Sequence, residues 1–419
     1  MQRIIFMAKI TPFKGLRPVK QLAAEVATLP YDVVSVAEAR AFKKDPYNFY
    51  HVTRSEIDLA DGVDVHSSLV YEKAKENLDA MVQDKIMVQD TEPCYYIYEL
   101  VMNGRSQTGL VCGSSIDDYN NGIVKKHEFT RPEKELDRIN HISTTGAQTG
   151  IVFLAYNDCQ SVQQIIEEWK STHAPEYDFT ASDGVRHIFW VISEYAKVAS
   201  ISHHFAQDVP CTYIADGHHR AASAAKVCQD RRDNGYSVDG DESFNYFLTC
   251  IFPASQLEIQ DYNRVAKDLN GMAPKDFLKM LEDDFVISLP SDEAYKPYHA
   301  HDFGMYLDGR WYELLAKPGT FSEDPIGVLD VTILQQNVLD KLLGIKDPRV
   351  DKRIDFIGGI RGMQALQQRV DSKEAAVAFS LYPVTIQQLF DIADSGNVMP
   401  PKSTWFEPKL RDGLAVYMI

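Results

Sequence analysis

Tyr213-Ile214-Ala215-Asp216-Gly217-His218-His219-Arg220-Ala221-Ala222 is the stretch whose residue types could do chemistry. Cys211 to Ala215 is apolar and β-prone and reads as a short buried strand. Asp216-Gly217 breaks it, and Ala221 to Val227 is Ala-rich and helix-forming. The order is strand, tight turn, helix start, with Asp216 where an N-cap belongs. A helix start leaves the N–H groups of Gly217, His218 and His219 unpaired and presents the positive end of the dipole, and both favour an anion. Gly217 lets a ligand approach the backbone, while His218, His219 and Arg220 add side-chain donors, the Arg in a form that grips phosphate bidentately. A capped helix with a merely solvated first turn would use similar residues. Against that, two His and one Arg crowd the helix end where the dipole disfavours cations, a local conflict typical of functional sites. Asp216, Gly217, His218, His219 and Arg220 are therefore expected to bind phosphate or nucleotide.

A second concentration runs from Lys125 to Arg138, KKHEFTRPEKELDR. Glu133, Asp137 and His141 recur every fourth residue, as do Lys134 and Arg138, which suits a solvated, salt-bridged helix equally well. The segment nevertheless lies between two core strands, and His127 and Glu128 immediately precede the helix. Glu128 is a candidate general base, and His127 a candidate phosphate ligand or acid. A third concentration, Met399 to Phe406, follows two prolines with Lys402, Ser403 and Thr404, one cation and two hydroxyls, anchored by Trp405 and Phe406. The Gly-rich turn Ile357 to Gly362 carries Arg361 but is weak alone. There is no G-x-x-x-x-G-K-[ST] loop, no strand-linked G-x-G-x-x-G, and no His, Cys or carboxylate set with metal spacing, so no metal ligands are assigned.

The elements that must position these residues mix strands and helices. Cys94 to Val101 and Ser106 to Ile116 form a hairpin about Asn103-Gly104. Gly150 to Tyr156, Arg186 to Ile192 and Asn245 to Pro253 read as further strands, and Val65 to Val82, Ser161 to Ser171 and Glu194 to Phe205 as helices. Gln21 to Leu29 has helical spacing, and Ser35 with Glu38 makes a capping box for a helix to about Lys44. Beyond a boundary near Asn270-Gly271 come a helix (Pro274 to Asp283), a hairpin turning at Asp308-Gly309, an amphipathic helix from Thr332 to Leu343, a strand (Ala376 to Val384) and a helix capped by Thr385 and Gln388. The expectation is a mixed α/β (α+β) protein with one unit over residues 1–270 and a smaller α+β unit over residues 271–419 packed on it.

The chain has 419 residues, 45% hydrophobic content and a net charge of −17. That suits two or three packed units and argues against nucleic acid and anionic membrane as main partners. The six cysteines form no C-x-x-C and read as reduced, buried thiols of a cytoplasmic protein. No signal peptide or transmembrane run is evident.

At Asp216 to Ala222 the chain resembles the ParB/sulfiredoxin-like fold, in which a Gly-His-Arg or Gly-Glu-Arg-Arg turn at a helix start binds nucleotide phosphates. It is more closely similar to the family catalogued as domain of unknown function 1015, through Leu29 to Val33 (LPYDV), Asn48 to Arg54 (NFYHVTR), His127 to Thr130 (HEFT), Tyr213 to Ala222 and Met399 to Leu410. The resemblance implies a ParB-like nucleotide-binding core elaborated with extra hairpins. The wider fold includes enzymes that phosphorylate free serine with a nucleotide, nucleotide-binding partition proteins and sulfiredoxins. The turn cysteine of sulfiredoxins is replaced by His218, and neither a DNA-binding helical domain nor a basic charge is present. What remains is a phosphotransferase acting on free serine or phosphoserine, with ATP or ADP and the accompanying Mg²⁺ as co-substrate. Glu128, His127 or Asp32 would do the proton chemistry. Arg131, Arg138, Lys402, Ser403 and Thr404 would meet the substrate's charges. A phosphoserine hydrolase using the same pocket and a non-catalytic nucleotide-binding regulator are the alternatives, and homo-oligomerisation is left open.

Overall fold

The computed structural model describes residues 7–236 and 239–419. They divide into two units: one runs to Leu257 and takes in Pro408–Ile419, the other is Glu258–Glu407. The division falls before Asn270-Gly271 because Tyr262–Ala266 pairs with Ile354–Gly358 and Val377–Leu381, which commits it to the second sheet.

The first unit is built on a nine-stranded mixed sheet. Its strands are β1 (Ile10–Thr11), β2 (Tyr95–Met102), β3 (Arg105–Ser115), β4 (Val124–Lys125), β5 (Val152–Tyr156), β6 (Tyr177–Thr180), β7 (Arg186–Ile192), β8 (Thr212–Asp216) and β9 (Tyr246–Pro253). Their order is β4-β8-β5-β9-β3-β2-β7-β6, with β1 against β3. The β2–β3 hairpin closes at Asn103-Gly104, both at positive φ (55° and 80°), as its tight turn demands. Two pairings are parallel, β8 with β4 and β9 with β5. Strands β5 and β9 are buried along their whole length, as continuous apolar runs covered on both faces should be. Helices α1 (Ser68–Gln83), α2 (Pro132–Thr145) and α3 (His218–Asp233) belong to this unit. Pro132 opens α2 and Gly146, at φ 66°, closes it.

Two expected helices come out shorter. The run from Ser35 to about Lys44 keeps its capping box but is helical only over Val36–Arg40. The run from Gln21 to Leu29 holds a 3₁₀ turn and one α-turn, Ala23–Val26. It stops there because Thr28 exchanges backbone hydrogen bonds with Asp412 at 2.9 and 3.1 Å, which requires extended chain.

The second unit has a six-stranded antiparallel sheet: β10 (Tyr262–Ala266), β11 (Phe285–Ile287), β12 (Asp302–Leu307), β13 (Arg310–Ala316), β14 (Ile354–Gly358) and β15 (Val377–Leu381), ordered β11-β13-β12-β15-β10-β14. The hairpin at Asp308-Gly309 and the Thr385–Gln388 capping box form as expected. The helix expected over Thr332 to Leu343 instead starts as α-helix, Asp330–Leu334, and widens to a π-turn, Gln335–Asp340. Side-chain bonds from Gln335 to the Ile345 carbonyl (2.7 Å) and from Asn337 to the Thr320 carbonyl (3.0 Å) hold that turn to its surroundings.

Candidate functional site

The site begins where β8 ends. The β8–β5 register shifts between Ile214 and Asp216, a bulge that re-aims the end of the strand. Asp216 is the last strand residue and not the helix cap expected from the sequence. Gly217 is the cap, at φ 96° and ψ 29°, without a side-chain capping bond. This left-handed conformation is open to Gly and costs other residues about 1–2 kcal/mol. A Cβ on Gly217 would also lie 3.1 Å from the Arg220 guanidinium carbon. Gly217→Ala is accordingly expected to lower stability by about 1–2 kcal/mol, seen as a lower melting temperature, and to displace Arg220.

The parallel pairing of β8 with β4 brings a second segment to the same place. Val124 and Lys125 lie opposite Thr212 and Tyr213, so the chain leaving β4 delivers His127 and Glu128 to the start of α3. The rings of His127 and His218 meet edge to face, centroids 4.5 Å apart. Both are buried, at 2% and 5% exposure. His127 Nδ1 and His218 Nε2 have no hydrogen-bond partner among the described residues, and neither has Arg220 Nε. Burial pushes the His127 pKa down to about 4, partly offset by Asp216. Burial also holds His218 well below the usual imidazole range, helped by His127. Two neutral rings with unpaired buried nitrogens at a helix start are an unfinished hydrogen-bond set. Glu128 places Oε2 3.8 Å from His218 Nδ1.

His219 points elsewhere. Its Nε2 accepts the Arg131 N–H at 3.0 Å, so it ties the start of α2 to the start of α3. The same two helices are joined by Ser223 Oγ, which donates to the Glu135 carbonyl at 3.1 Å. Burial lowers the pKa of His219, and Lys134 adds to this.

Arg220 is buried and donates to the Ile151 carbonyl. Its Nη2 stands 3.7 Å from Asp32 and 3.8 Å from Asp216. Burial opposes its charge, but Asp32, Asp216 and Asp412 outweigh burial and keep it protonated. Burial likewise opposes ionisation of Asp216, and Lys409 (Nζ–Oδ2 3.1 Å) with Arg220 overcomes this and holds the carboxyl well below its usual range. Tyr31, Arg138, His141, Gly150 and Arg220 line a small cleft here. Arg138 stacks on the Tyr31 ring, 3.9 Å to its centroid, and pairs with Asp137 at 2.7 Å.

Sequence reasoning missed Tyr31, Lys409 and Asp412 as members of this group. Asp412 is 1% exposed and one of its oxygens has no partner among the described residues. Its signal was a charged Arg411-Asp412 pair inside the otherwise apolar run from Leu410 to Tyr417. Burial, resisted by Arg220 and reinforced by Asp32, raises its pKa to about 7. Between the unfolded carboxyl value, about 3.9, and 7 the folded state holds a proton that the unfolded state has lost, so stability should fall as pH rises through this window. Asp412→Asn should remove that part of the slope; urea titrations from pH 4 to 8 would measure it. Asp330 of the second unit, also raised to about 7 by burial, keeps its own share.

Asp32, His127, Glu128, Arg131, Arg138 and Asp216–Arg220 all lie in the first unit: Asp32 stands by Arg220, His127 and Glu128 by His218, Arg131 by His219, and Arg138 lines the small cleft with Arg220. Lys402, Ser403 and Thr404 lie in the second unit, where the Lys402 carbonyl accepts from Arg264 at 2.9 Å and Ser403 Oγ donates to the Pro400 carbonyl at 2.6 Å. Among the described residues no group of three or more His, Cys, Asp or Glu side chains is placed to hold a metal ion. No helix among them is long and apolar enough to cross a membrane.

Fold and site together describe a mixed α/β protein with a glycine-capped, arginine- and histidine-bearing helix start at the end of a sheet strand. The chain belongs to the family described as protein of unknown function DUF1015, whose profile matches residues 10–332. No curated protein matches it. Among solved structures it is similar to a free serine kinase in complex with AMP (14% identity, TM-score 0.35, covering 71% of this chain and 86% of that one). It is also similar to SbnI with a C-terminal truncation from Staphylococcus aureus (9%, TM-score 0.37, 74% and 87%) and to a conserved hypothetical protein from Pyrococcus furiosus (13%, TM-score 0.35, 74% and 95%).

Proposed function

We propose that this protein transfers phosphate between a nucleotide and the hydroxyl of free serine. The observation that carries the reading is the carboxylate of Glu128, 3.8 Å from the first ring of a helix start with unpartnered buried nitrogens. Phosphoryl transfer asks for donors and positive charge around the phosphates and a base beside the acceptor hydroxyl. The N–H groups at the start of α3, with His218 and Arg220, would take the phosphates. Glu128 would take the proton of the serine hydroxyl as its oxygen bonds to the terminal phosphorus, and the bond to the bridging oxygen of the nucleotide would break. Asp32, beside Arg220, is the alternative base. The described residues build no metal cage, so Mg²⁺ would enter on the nucleotide phosphates, as it commonly does. Six free thiols, five of them buried, support a reducing compartment such as the cytoplasm.

The test is phosphorus NMR of the protein with serine plus ATP or ADP, and separately with phosphoserine alone. Phosphoserine appearing in the first sample bears the proposal out. Inorganic phosphate appearing only in the second makes the protein a hydrolase. Nucleotide binding without turnover in either makes it a binding protein.

A further inference from the structure

We infer that the second unit carries an anion-binding site of its own, formed by Arg264 and Lys402, that takes a phosphate group. This goes beyond the phosphotransferase reading and uses residues of the second unit alone. Four arginines are buried among the described residues: Arg138, Arg220, Arg264 and Arg411. Three are compensated by carboxylates, Arg138 by Asp137, Arg220 by Asp32 and Asp216, and Arg411 by Asp183. Arg264, at 4% exposure, pairs with no carboxylate among the described residues. Its Nη1 donates to the Tyr262 carbonyl and its Nη2 to the Lys402 carbonyl at 2.9 Å. Its guanidinium lies 5.1 Å from the Phe356 ring centroid and 5.8 Å from that of Tyr262. Stacking and two carbonyls leave the charge itself unanswered, and an unanswered buried charge is costly. Burial pushes the Arg264 pKa down to about 10, the opposite direction from Arg138 and Arg220.

A second cation stands beside the first. Lys402 Nζ is 5.7 Å from the same Tyr262 ring, and no carboxylate among the described residues pairs with it. Its backbone is left-handed, φ 59°, which a lysine adopts only where the surroundings impose it. The Ser403 bond to Pro400 fixes this turn, and the Glu407 carboxylate is engaged by the Trp405 indole N–H at 2.9 Å. The result is two positive charges about one aromatic ring, one of them buried with guanidinium donors to spare. A doubly charged phosphate monoester, or inorganic phosphate, balances them where a carboxylate would leave one charge over.

Trp405 gives a local reporter, since its ring lies 5.0 Å from that of Tyr262. In the full chain labelled with 5-fluorotryptophan, inorganic phosphate titrated at constant ionic strength should shift the Trp405 fluorine signal saturably, with W405F making the assignment. Lys402 is exposed, so K402Q should fold and leave the other three tryptophan signals in place. It should weaken the phosphate response about tenfold, the order expected for one charge-assisted contact. R264Q should abolish the response if it folds. A Trp405 signal that ignores phosphate, or responds equally in K402Q, overturns the inference. Loss of nucleotide binding in a variant of Arg220 would leave the Trp405 response unchanged, so the two proposals fail separately.

Discussion

Glu128→Gln is expected to slow phosphate transfer to serine by about 10²–10⁴-fold while nucleotide binding persists. The amide keeps the size and hydrogen-bonding reach of the carboxylate but cannot accept the hydroxyl proton. The Glu128 side chain is 45% exposed and precedes α2 instead of sitting within it. The variant should therefore melt close to the parent, which separates a lost base from a lost structure. Steady-state turnover with serine and nucleotide, beside calorimetry with nucleotide alone, is the measurement. If turnover is retained in Glu128→Gln and lost in Asp32→Asn, the base is Asp32.

Arg220→Ala should have the other large effect, and it should act twice. Removing the guanidinium takes donors from the proposed phosphate site. It also strips the buried countercharge from Asp32, Asp216 and Asp412, for which a loss of about 3 kcal/mol is the expected order. Affinity alone would confuse the two effects, so denaturant titration should accompany calorimetry. Arg220→Lys, which keeps charge but not the planar fork, should recover more stability than phosphate affinity. An Arg220→Ala protein with parental stability and parental affinity would remove Arg220 from the site altogether.

Much of this was legible in the sequence because the signals are local. The strand, break and helix around Gly217 follow from a β-prone run, a glycine and an alanine-rich run. The hairpins at Asn103-Gly104 and Asp308-Gly309 announce themselves by turn chemistry. The capping boxes at Ser35 and Thr385 were visible for the same reason. What was not legible depends on partners far away in the chain. Asp216 was expected to cap the helix, but a bulge set by pairing with β5 makes it the end of the strand. Thr28 was read as helical because its backbone partner, Asp412, is remote in sequence. Strands β10 and β14 were not singled out, although each carries regular pairing. Asp412 and Lys409 went unnoticed because their role is electrostatic and arises only when they meet Arg220 and Asp216.

The return of residues 408–419 to the first unit constrains the order in which these two units can fold during synthesis. Leu16 pairs with Val416, Thr28 with Asp412 and Gln148 with Tyr417, so the first unit's early segments wait for residues made after the whole second unit. The second unit, Glu258–Glu407, is synthesised without interruption and can fold first, as segments complete in themselves tend to do. A nascent chain stopped before residue 408 has made the glycine cap, both facing histidines and Arg220, yet lacks the lysine that answers Asp216. The proposed phosphate binding would then arise only after residues 408–419 clear the exit tunnel and close these long-range pairs.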